Sequence, residues 1–515
     1  MAPRLVQLQL PKVNPKEPGI ISKCQEDCTW KLPIHDAASE ISKMTLTDPE
    51  LLRATVPSKA LRFFGRALRE KSFDREIYHL SSTTEKVHCF WSHSWHATAW
   101  TKILLLLVIY NGRAAIVAGM SAAVFAMALF YWGLLPGYPK VFPVEGATYE
   151  VGPWGLVAGC LVTVLVLFLW QPSTMRVFLD RICIHQRDQE LKSAGIRAIG
   201  GILKHSETML VLFEPTYITR LWTIFEIAGF LNTHRNDDGV SSGLIIMPTF
   251  LGPTAVAIFL SAAMINMSLL LNYGGRMQTI LAVTCVVFCV CANGIHWLRG
   301  YFRWIDECCS QLKNFSMEKA HSHCCKSNHL NEAGSQIMCD REIITECIRL
   351  WFGSEEAFES CVRSEVSSLL IKGLQRQTFT FRWLVAACVP TCWVCGDLLV
   401  ARLKVGETYF SIVAGVVLLG WWLGLIPVCA LACFVLSSKL RRQRPNGCLD
   451  HMVTVMAASL VVVLVLSLYL LSIVLVGLVG DDLLGTCLWA PVVSLATVLA
   501  WRVWTQLHLR HLQSG

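Results

Sequence analysis

Residues 161–186, LVTVLVLFLWQPSTMRVFLDRICIHQ, hold two kinds of structure in one short stretch. Residues 161–169 are apolar enough to lie in lipid, and they complete a segment that is long enough to span a bilayer. After a polar break, MRVFLD has the apolar run of a buried β-strand, which Asp180 closes. The sequence therefore predicts a membrane helix that runs directly into the core strand of a water-soluble domain.

The composition indicates a membrane protein with several spans. Of 515 residues, 54% are hydrophobic and only 16% are charged, and a soluble domain of this size cannot bury so much apolar surface. The net charge of +8 fits the basic cytosolic loops of a membrane protein better than a nucleic-acid binder. We therefore expect the lipid bilayer as a partner and no nucleic acid. The 22 cysteines are expected to be reduced thiols in the membrane and the cytosol.

Eight apolar segments have about the 20 residues that a helical span needs. They are residues 113–135, 153–171, 250–272, 278–298, 383–402, 409–436, 452–478 and 484–503. The loop 437–447 carries four basic residues, whereas the loop 480–485 carries none. Because basic loops remain in the cytosol, and because residues 1–80 contain no early apolar core, we expect both termini to be cytosolic. The identity of the membrane is left open.

The apolar segments divide the chain into predicted parts. These are a cytosolic N-terminal region with short helices (1–85), an α/β domain in two pieces (86–112 and 172–249), an inserted transmembrane hairpin (113–171), a second hairpin (250–298), a cytosolic Cys/His-rich helical region (299–382), four further spans (383–503) and a cytosolic tail (504–515).

Strand and helix patterns alternate in the two pieces of the α/β domain. KVHCFWSH, MRVFLD, ETMLVLF and GLIIMP have strand character, and LKSAGIRAIGGILKHS and TYITRLWTIFEIAGFLN have helical character. AWTKILLLLVIYN, at 99–111, is predicted as the first helix of this domain. Such alternation is typical of a doubly wound parallel sheet.

The segments FWSHSWH, VFLDRICIHQ and HSETMLVLFEPTYITRLWTIFE together resemble a TIR domain. The second segment is also similar to the strand-and-loop motif of fungal HET domains, which are distant TIR relatives. The arrangement as a whole resembles the membrane-bound TIR-like families of dinoflagellate and other protist algae. The resemblance implies a flavodoxin-like parallel sheet that is split by the first two spans, inserted between its first helix and second strand.

The resemblance also implies a site. In TIR enzymes, an acid on a helix with the pattern Trp-x-x-x-Glu assists cleavage of the bond between nicotinamide and ribose in NAD⁺, and this acid maps onto Glu226. Trp222 lies one turn earlier and would wall the pocket. The expected ligand-binding residues are Ser92, His93, Ser94, Asp180 and Trp222. NAD⁺ would be a substrate, and no resident cofactor is expected.

Two departures keep other functions open. The family has Cys after the Trp where this chain has Thr223, and the SHSWH loop lacks the charged residues of many active TIR domains. Glu226 equally fits the solvated face of a helix with Trp222 in the core, and Asp180 equally fits a loop-ordering acceptor. The alternative to an NAD⁺-directed signalling enzyme is therefore a non-catalytic module that forms homo-oligomers. A third hypothesis is a channel or transporter with a TIR-like regulatory domain, which would need a polar path.

Two further features bear on ligands. The stretch at 321–339 offers possible zinc ligands, among them His323, Cys324, His329 and Cys339, with His321 and Cys325 beside them. Its spacing matches no common zinc finger, and adjacent cysteines seldom bind one ion, so the expectation is reduced thiols without a metal. The acid Asp397 lies in a predicted span, where we expect it to reach water at the nearby boundary.

Overall fold

The computed structural model describes most of the chain. It covers residues 31–46, 48–69, 75–94, 98–141, 148–170, 173–234, 243–271, 276–326, 328–329, 339–369, 380–478 and 482–514. Residues 1–30 of the predicted N-terminal region therefore lie outside the described residues.

The chain divides into two compact units, each built from three separate pieces of sequence. The first unit comprises Met1–Leu106, Gln171–Leu251 and Glu307–Leu374. The second unit comprises Leu107–Trp170, Gly252–Asp306 and Gln375–Gly515.

A four-stranded parallel sheet forms the centre of the first unit. Its strands are β1 (Val87–His93), β2 (Val177–Phe178), β3 (Ser206–Phe213) and β4 (Leu244–Pro248), in the order β2-β1-β3-β4. This order is that of flavodoxin-like doubly wound sheets. Phe90 lies opposite Phe178 on one side and Met209 on the other. The prediction that two distant pieces of chain close into one sheet is therefore confirmed.

Helices and short strands surround this sheet. The helices are Lys31–Ser42, Pro57–Ala60, Arg62–Arg69, Arg75–Tyr78, Asp180–Cys183, Gln189–Arg197, Ile199–Lys204, Leu221–His234, His323–Lys326, Asp340–Phe352 and Glu355–Cys361, with a 3₁₀ turn at Pro49–Leu51, a π-helix at Val362–Val366 and a strand pair formed by Arg53–Ala54 and Ser82–Thr83. The Leu221–His234 helix is buried along most of its length, which fits its apolar sequence. As the sequence predicts, the chain turns at Gly353 and the Ser354 side chain caps the next helix.

Two elements of this unit are shorter than the sequence pattern suggests. β2 contains two residues, and Asp180 begins a helical turn rather than ending a long strand. The predicted helix after it breaks at Ala198, so that Leu191, expected to be buried, is exposed. A polar face with Asp188 as its cap explains why this helix begins where it does.

The second unit is helical apart from one antiparallel pair, Tyr138–Val141 with Thr148–Val151. Its helices are Trp154–Leu169, Leu251–Leu271, Phe381–Ala387, Pro390–Leu403, Thr408–Gly420, Ile426–Lys439, Gly447–Leu478 and Asp482–Ser514, with a π-helix at Trp421–Leu425. Helices Ala99–Tyr131 and Arg276–Lys313 contribute residues to both units. Several of these helices are long and apolar, which indicates a multi-pass membrane protein.

Among the described residues, six helices are long and apolar enough to cross a membrane. A seventh is possible if the helices Phe381–Ala387 and Pro390–Leu403, bent by 53°, cross as one broken span. Trp154–Leu169, in the predicted span 153–171, has only 16 residues, fewer than the roughly 20 that a straight span needs. The total of eight spans therefore remains a prediction.

The first predicted boundary between domain and membrane is wrong. A single helix of 33 residues, Ala99–Tyr131, replaces the predicted domain helix 99–111 and the separate span 113–135. Asn111 does not interrupt this helix, because its side chain donates a 2.8 Å hydrogen bond to the carbonyl of Leu167. A polar residue that looks like a break in the sequence thus links two helices of the second unit.

Asp397 is buried in the second unit, and the expectation that it reaches water is wrong. Its two carboxylate oxygens accept the backbone N–H groups of Gly155 and Leu156 at 2.8 and 2.9 Å. These groups lie in the first turn of the Trp154–Leu169 helix, where N–H groups have no partner within the helix. A Cβ at Gly155 would lie 2.6 Å from a carboxylate oxygen of Asp397, so glycine permits this approach.

A second buried ion pair joins other helices of the same unit. The Arg299 guanidinium is fully buried and donates to both carboxylate oxygens of Asp450, at 2.6 and 3.3 Å. It also donates to the Thr454 hydroxyl at 2.7 Å and to the carbonyl of Leu440 at 2.8 Å. The arginine therefore holds three helical segments together through one set of donors.

Candidate functional site

The polar residues of the first unit converge at the carboxyl ends of the two central strands. β1 and β3 are paired in parallel, so Ser92 lies opposite Val211 and His93 opposite Leu212. The strand order places β2 on one side of this pair and β4 on the other. This is the switch point of an open α/β sheet, the position at which such sheets bind ligands.

A chain of three hydroxyl and carboxyl groups lies at this point. The Tyr217 hydroxyl bonds to the Ser92 hydroxyl, which donates to Oε2 of Glu226. Each residue comes from a different element: the end of β1, the loop after β3 and the Leu221–His234 helix. Only 1% of Ser92 and 4% of Glu226 is exposed, so this chain lies in the interior. The sheet therefore brings together Ser92 and Glu226, which are distant in sequence.

The surroundings of Glu226 favour its neutral form. Burial raises the pKa of this carboxyl well above its ordinary value, and the charge of Asp180 raises it further. The hydrogen bond from Ser92 and the positive charge of Arg220 act in the opposite direction. Burial and the nearby charge of Glu226 likewise raise the pKa of Tyr217, which therefore stays a hydroxyl donor. Perturbed acids of this kind cluster at functional sites.

His93 and Asp180 form a second contact at the same edge. Nε2 of His93 lies 3.7 Å from Oδ1 of Asp180. Burial lowers the pKa of His93 well below its ordinary value, and the positive charges of Lys102 and Arg181 add to that effect. The imidazole is therefore neutral at physiological pH, and this contact is a polar one rather than an ion pair.

Ser94 is fixed by groups from the loop after β3 and from the next helix. Its hydroxyl lies 3.1 Å from that of Thr216, and its carbonyl accepts a hydrogen bond from the Lys102 ammonium. Thr216 in turn donates to Glu214 at 3.2 Å. The edge of the sheet is thus lined by buried acids and buried bases in similar number.

Trp222 has a different environment from the other predicted site residues. It is partly exposed, and its ring lies 5.1 Å from that of Phe225, which stacks on Trp351 at 5.3 Å. The neighbouring Thr223 is buried and donates to the carbonyls of Arg220 and Tyr217. Thr223, at the position where TIR domains have Cys, therefore fixes the loop that carries Tyr217.

Several residues of this site were not anticipated. They are Lys102, Arg181, Glu214, Thr216, Tyr217 and Arg220. The run EPTYITR directly after β3 contains four of them, and a polar run at the end of a central strand is a signal for the same sheet edge. Lys102 is harder to find, because it stands alone within an apolar helix.

The Cys/His-rich stretch forms a separate cluster in the same unit. Cys324, Cys325, His329 and Cys339 offer ligand atoms that all lie within 4.8 Å of one another. The adjacent cysteines therefore do converge, although adjacency argued against it. His321 is exposed, and the side chain of His323 lies outside what the structure describes.

Comparisons with known proteins add no relative. No protein-family model matches this chain, no curated protein matches it, and no solved structure matches it.

Proposed function

We propose that this chain is a membrane-anchored signalling protein whose sheet domain is TIR-like and hydrolyses NAD⁺ at the N-glycosidic bond. In this proposal both termini and the sheet domain lie in the cytosol. The basic loop that contains Arg441, Arg442 and Arg444 supports that orientation. The multi-pass character rests on the long apolar helices described above.

One observation carries the proposal: Glu226 meets Ser92 at the switch point of the sheet. When nicotinamide leaves with the bonding electrons, the ribose becomes an oxocarbenium ion, and a nearby carboxylate stabilises its positive charge. Glu226 is the acid that the resemblance assigns to this role. Arg220, Lys102 and Arg181 place positive charge at the same edge, which favours an anionic ligand such as a pyrophosphate.

The raised pKa of Glu226 is compatible with this role. The nicotinamide ring of NAD⁺ is cationic, so its arrival beside the carboxyl would favour the ionised form. Ser92 already donates a hydrogen bond to that form. We therefore expect the hydrolysis rate to increase with pH over a range above that in which an ordinary glutamate ionises.

The test is nicotinamide release from NAD⁺ by the purified full-length chain in detergent. We expect turnover by the wild type and a loss of about 100-fold or more in Glu226→Gln, because that change removes the carboxylate and keeps the side-chain volume. Glu190→Gln is the matched control, since Glu190 is exposed on another helix of the same unit. A folded wild-type chain without turnover, or equal turnover in both variants, would contradict the enzymatic proposal.

A non-catalytic assembly module is the second candidate, and the burial of the site favours it. Glu226, Ser92 and Tyr217 are nearly inaccessible, as expected for a network that only joins β1 to the Leu221–His234 helix. In that case Glu226→Gln would leave both the fold and the oligomeric state intact, and the wild type would not consume NAD⁺. The same assay therefore separates the two functions.

A further inference from the structure

We propose that Cys324, Cys325, His329 and Cys339 bind one Zn²⁺ ion, which fixes the loop that begins the Leu221–His234 helix. The site lies in the first unit and does not depend on NAD⁺ chemistry. Three thiolates and one imidazole are a common donor set of structural zinc sites.

The distances between the sulfur atoms support this assignment. Sγ of Cys325 lies 3.8 Å from Sγ of Cys324 and 3.8 Å from Sγ of Cys339. With zinc–sulfur bonds of about 2.3 Å, the edge of a tetrahedron is about 3.8 Å. A disulfide would need sulfurs at about 2.05 Å, and these cysteines are free thiols.

The fourth donor is a histidine whose ring has an unused nitrogen. Nε2 of His329 is buried and has no hydrogen-bond partner among the described residues. A buried polar atom of this kind calls for an explanation, and an unmodelled ion is one of the usual ones. Asn328 and His329 both have left-handed backbone, with φ of 52° and 57°, and the His329 N–H donates to the Cys324 carbonyl at 2.8 Å. This tight turn brings the imidazole back to the sulfurs.

The groups around the sulfurs favour thiolates. Cys339 is the cap residue of the Asp340–Phe352 helix, and the Asp340 N–H donates to Sγ of Cys324 at 3.2 Å. The positive end of a helix and backbone N–H···S contacts both stabilise the thiolate form. On binding Zn²⁺, each of the three thiols releases its proton to solvent, and neutral His329 donates its nitrogen lone pair. The site then carries a net charge of −1.

The position of the cluster indicates what the ion would do. His321, three residues before Cys324, pairs through its backbone with the loop after β3: its N–H donates to Thr219 at 2.6 Å, and its carbonyl accepts from Leu221 at 3.1 Å. The same loop contains Arg220, whose charge acts on Glu226. Zinc at the cluster would hold residues 321–329 in the shape that makes these contacts.

The first experiment measures zinc in the purified full-length chain by mass spectrometry, followed by replacement with Co²⁺. We expect one zinc per chain and, with Co²⁺, the visible absorption bands of a tetrahedral thiolate site. Cys324→Ser and His329→Ala should lose both signals, whereas Cys309→Ser, a thiol of the same unit outside the cluster, should keep them. Folded wild-type chain without zinc, or equal zinc in Cys324→Ser and Cys309→Ser, would overturn the proposal.

Two further measurements guard against variants that fail to fold. His329→Cys keeps four donors, so it should retain zinc and shift the Co²⁺ absorption bands toward those of a four-thiolate site. Removal of zinc from the wild type by a chelator should speed hydrogen exchange at the Leu221 and His321 amides and leave that of β3 unchanged. Equal exchange at Leu221 with and without zinc would contradict the role of the ion in fixing this loop.

Discussion

Asp397 and Glu226 are both buried acids, but their hydrogen-bond partners are of different kinds. Asp397, in the helical unit, accepts from two backbone N–H groups at the start of a helix. Glu226, in the sheet unit, accepts from the Ser92 hydroxyl, which bonds in turn to Tyr217. Backbone donors cannot turn away or change their protonation, whereas hydroxyl groups can rotate. The first acid is therefore suited to holding a structure and the second to meeting a ligand.

The Arg299–Asp450 pair extends this comparison within the helical unit. Every donor of its guanidinium that the structure describes is directed at a helix or at a helix end. Buried charges in the helical unit thus join segments, while those of the sheet unit gather at one edge. Each of the following experiments tests one side of that difference.

The largest effect is expected for Arg299→Leu. Removing the arginine leaves the Asp450 carboxylate without its main partner, which typically costs about 3–5 kcal/mol of stability for a buried pair. The measurement is the free energy of unfolding in detergent. Arg441→Leu is the control, because Arg441 pairs with Asp306 at the surface, where a pair contributes only about 0–1 kcal/mol. Equal losses in the two variants would show that burial does not distinguish them.

Asp397→Ala should destabilise the protein by about 2–4 kcal/mol, because two buried N–H groups lose their acceptor. Asp397→Asn keeps one acceptor oxygen and should cost less. The same unfolding measurement tests both variants, and neither should change NAD⁺ turnover. A stability as high as that of the wild type in Asp397→Ala would show that the helix start does not depend on this acid.

The smallest effect concerns the pH dependence of stability. Because the folded-state pKa of Glu226 is raised, its contribution is fully present below the unfolded value of about 4.3 and is lost as pH increases through the folded pKa. Glu226→Gln removes this dependence. Over that range the variant should gain stability relative to the wild type, by up to about 1.4 kcal/mol per pH unit.

The measurement is the difference in unfolding free energy between Glu226→Gln and wild type at several pH values. Taking the difference cancels the opposite contribution of His93, whose lowered pKa favours the folded state at higher pH. A difference that stays constant with pH would show that Glu226 ionises normally.

The sequence predicted the sheet better than the site. The apolar runs of β1 and β3 have no strong alternative structure, so their pairing across an inserted segment follows from composition and topology. The contact between Ser92 and Glu226 follows from the same strand order. The roles of Tyr217 and Arg220 depend on how one loop turns after β3, and no local pattern encodes that geometry.

Helix ends in the membrane were predicted less well for a related reason. Asn111 looks like a break in an apolar run, but its partner is a carbonyl on another helix. Asp397 looks like an acid near the water boundary, but its partners are the first turn of a helix far away in sequence. Tertiary hydrogen bonds decide both cases, and hydropathy does not contain them.

The capping of the Trp154–Leu169 helix by Asp397 also has a consequence for biosynthesis. The acid follows the Gly155 amide by 242 residues. Since ribosomes add about 5–20 residues per second, the helix start emerges about 12–50 s before its acceptor exists. During that interval the nascent hairpin must find substitute hydrogen bonds, from water at the membrane surface or from the insertion machinery. Final seating of this helix is therefore a late event, which follows the synthesis of most of the chain.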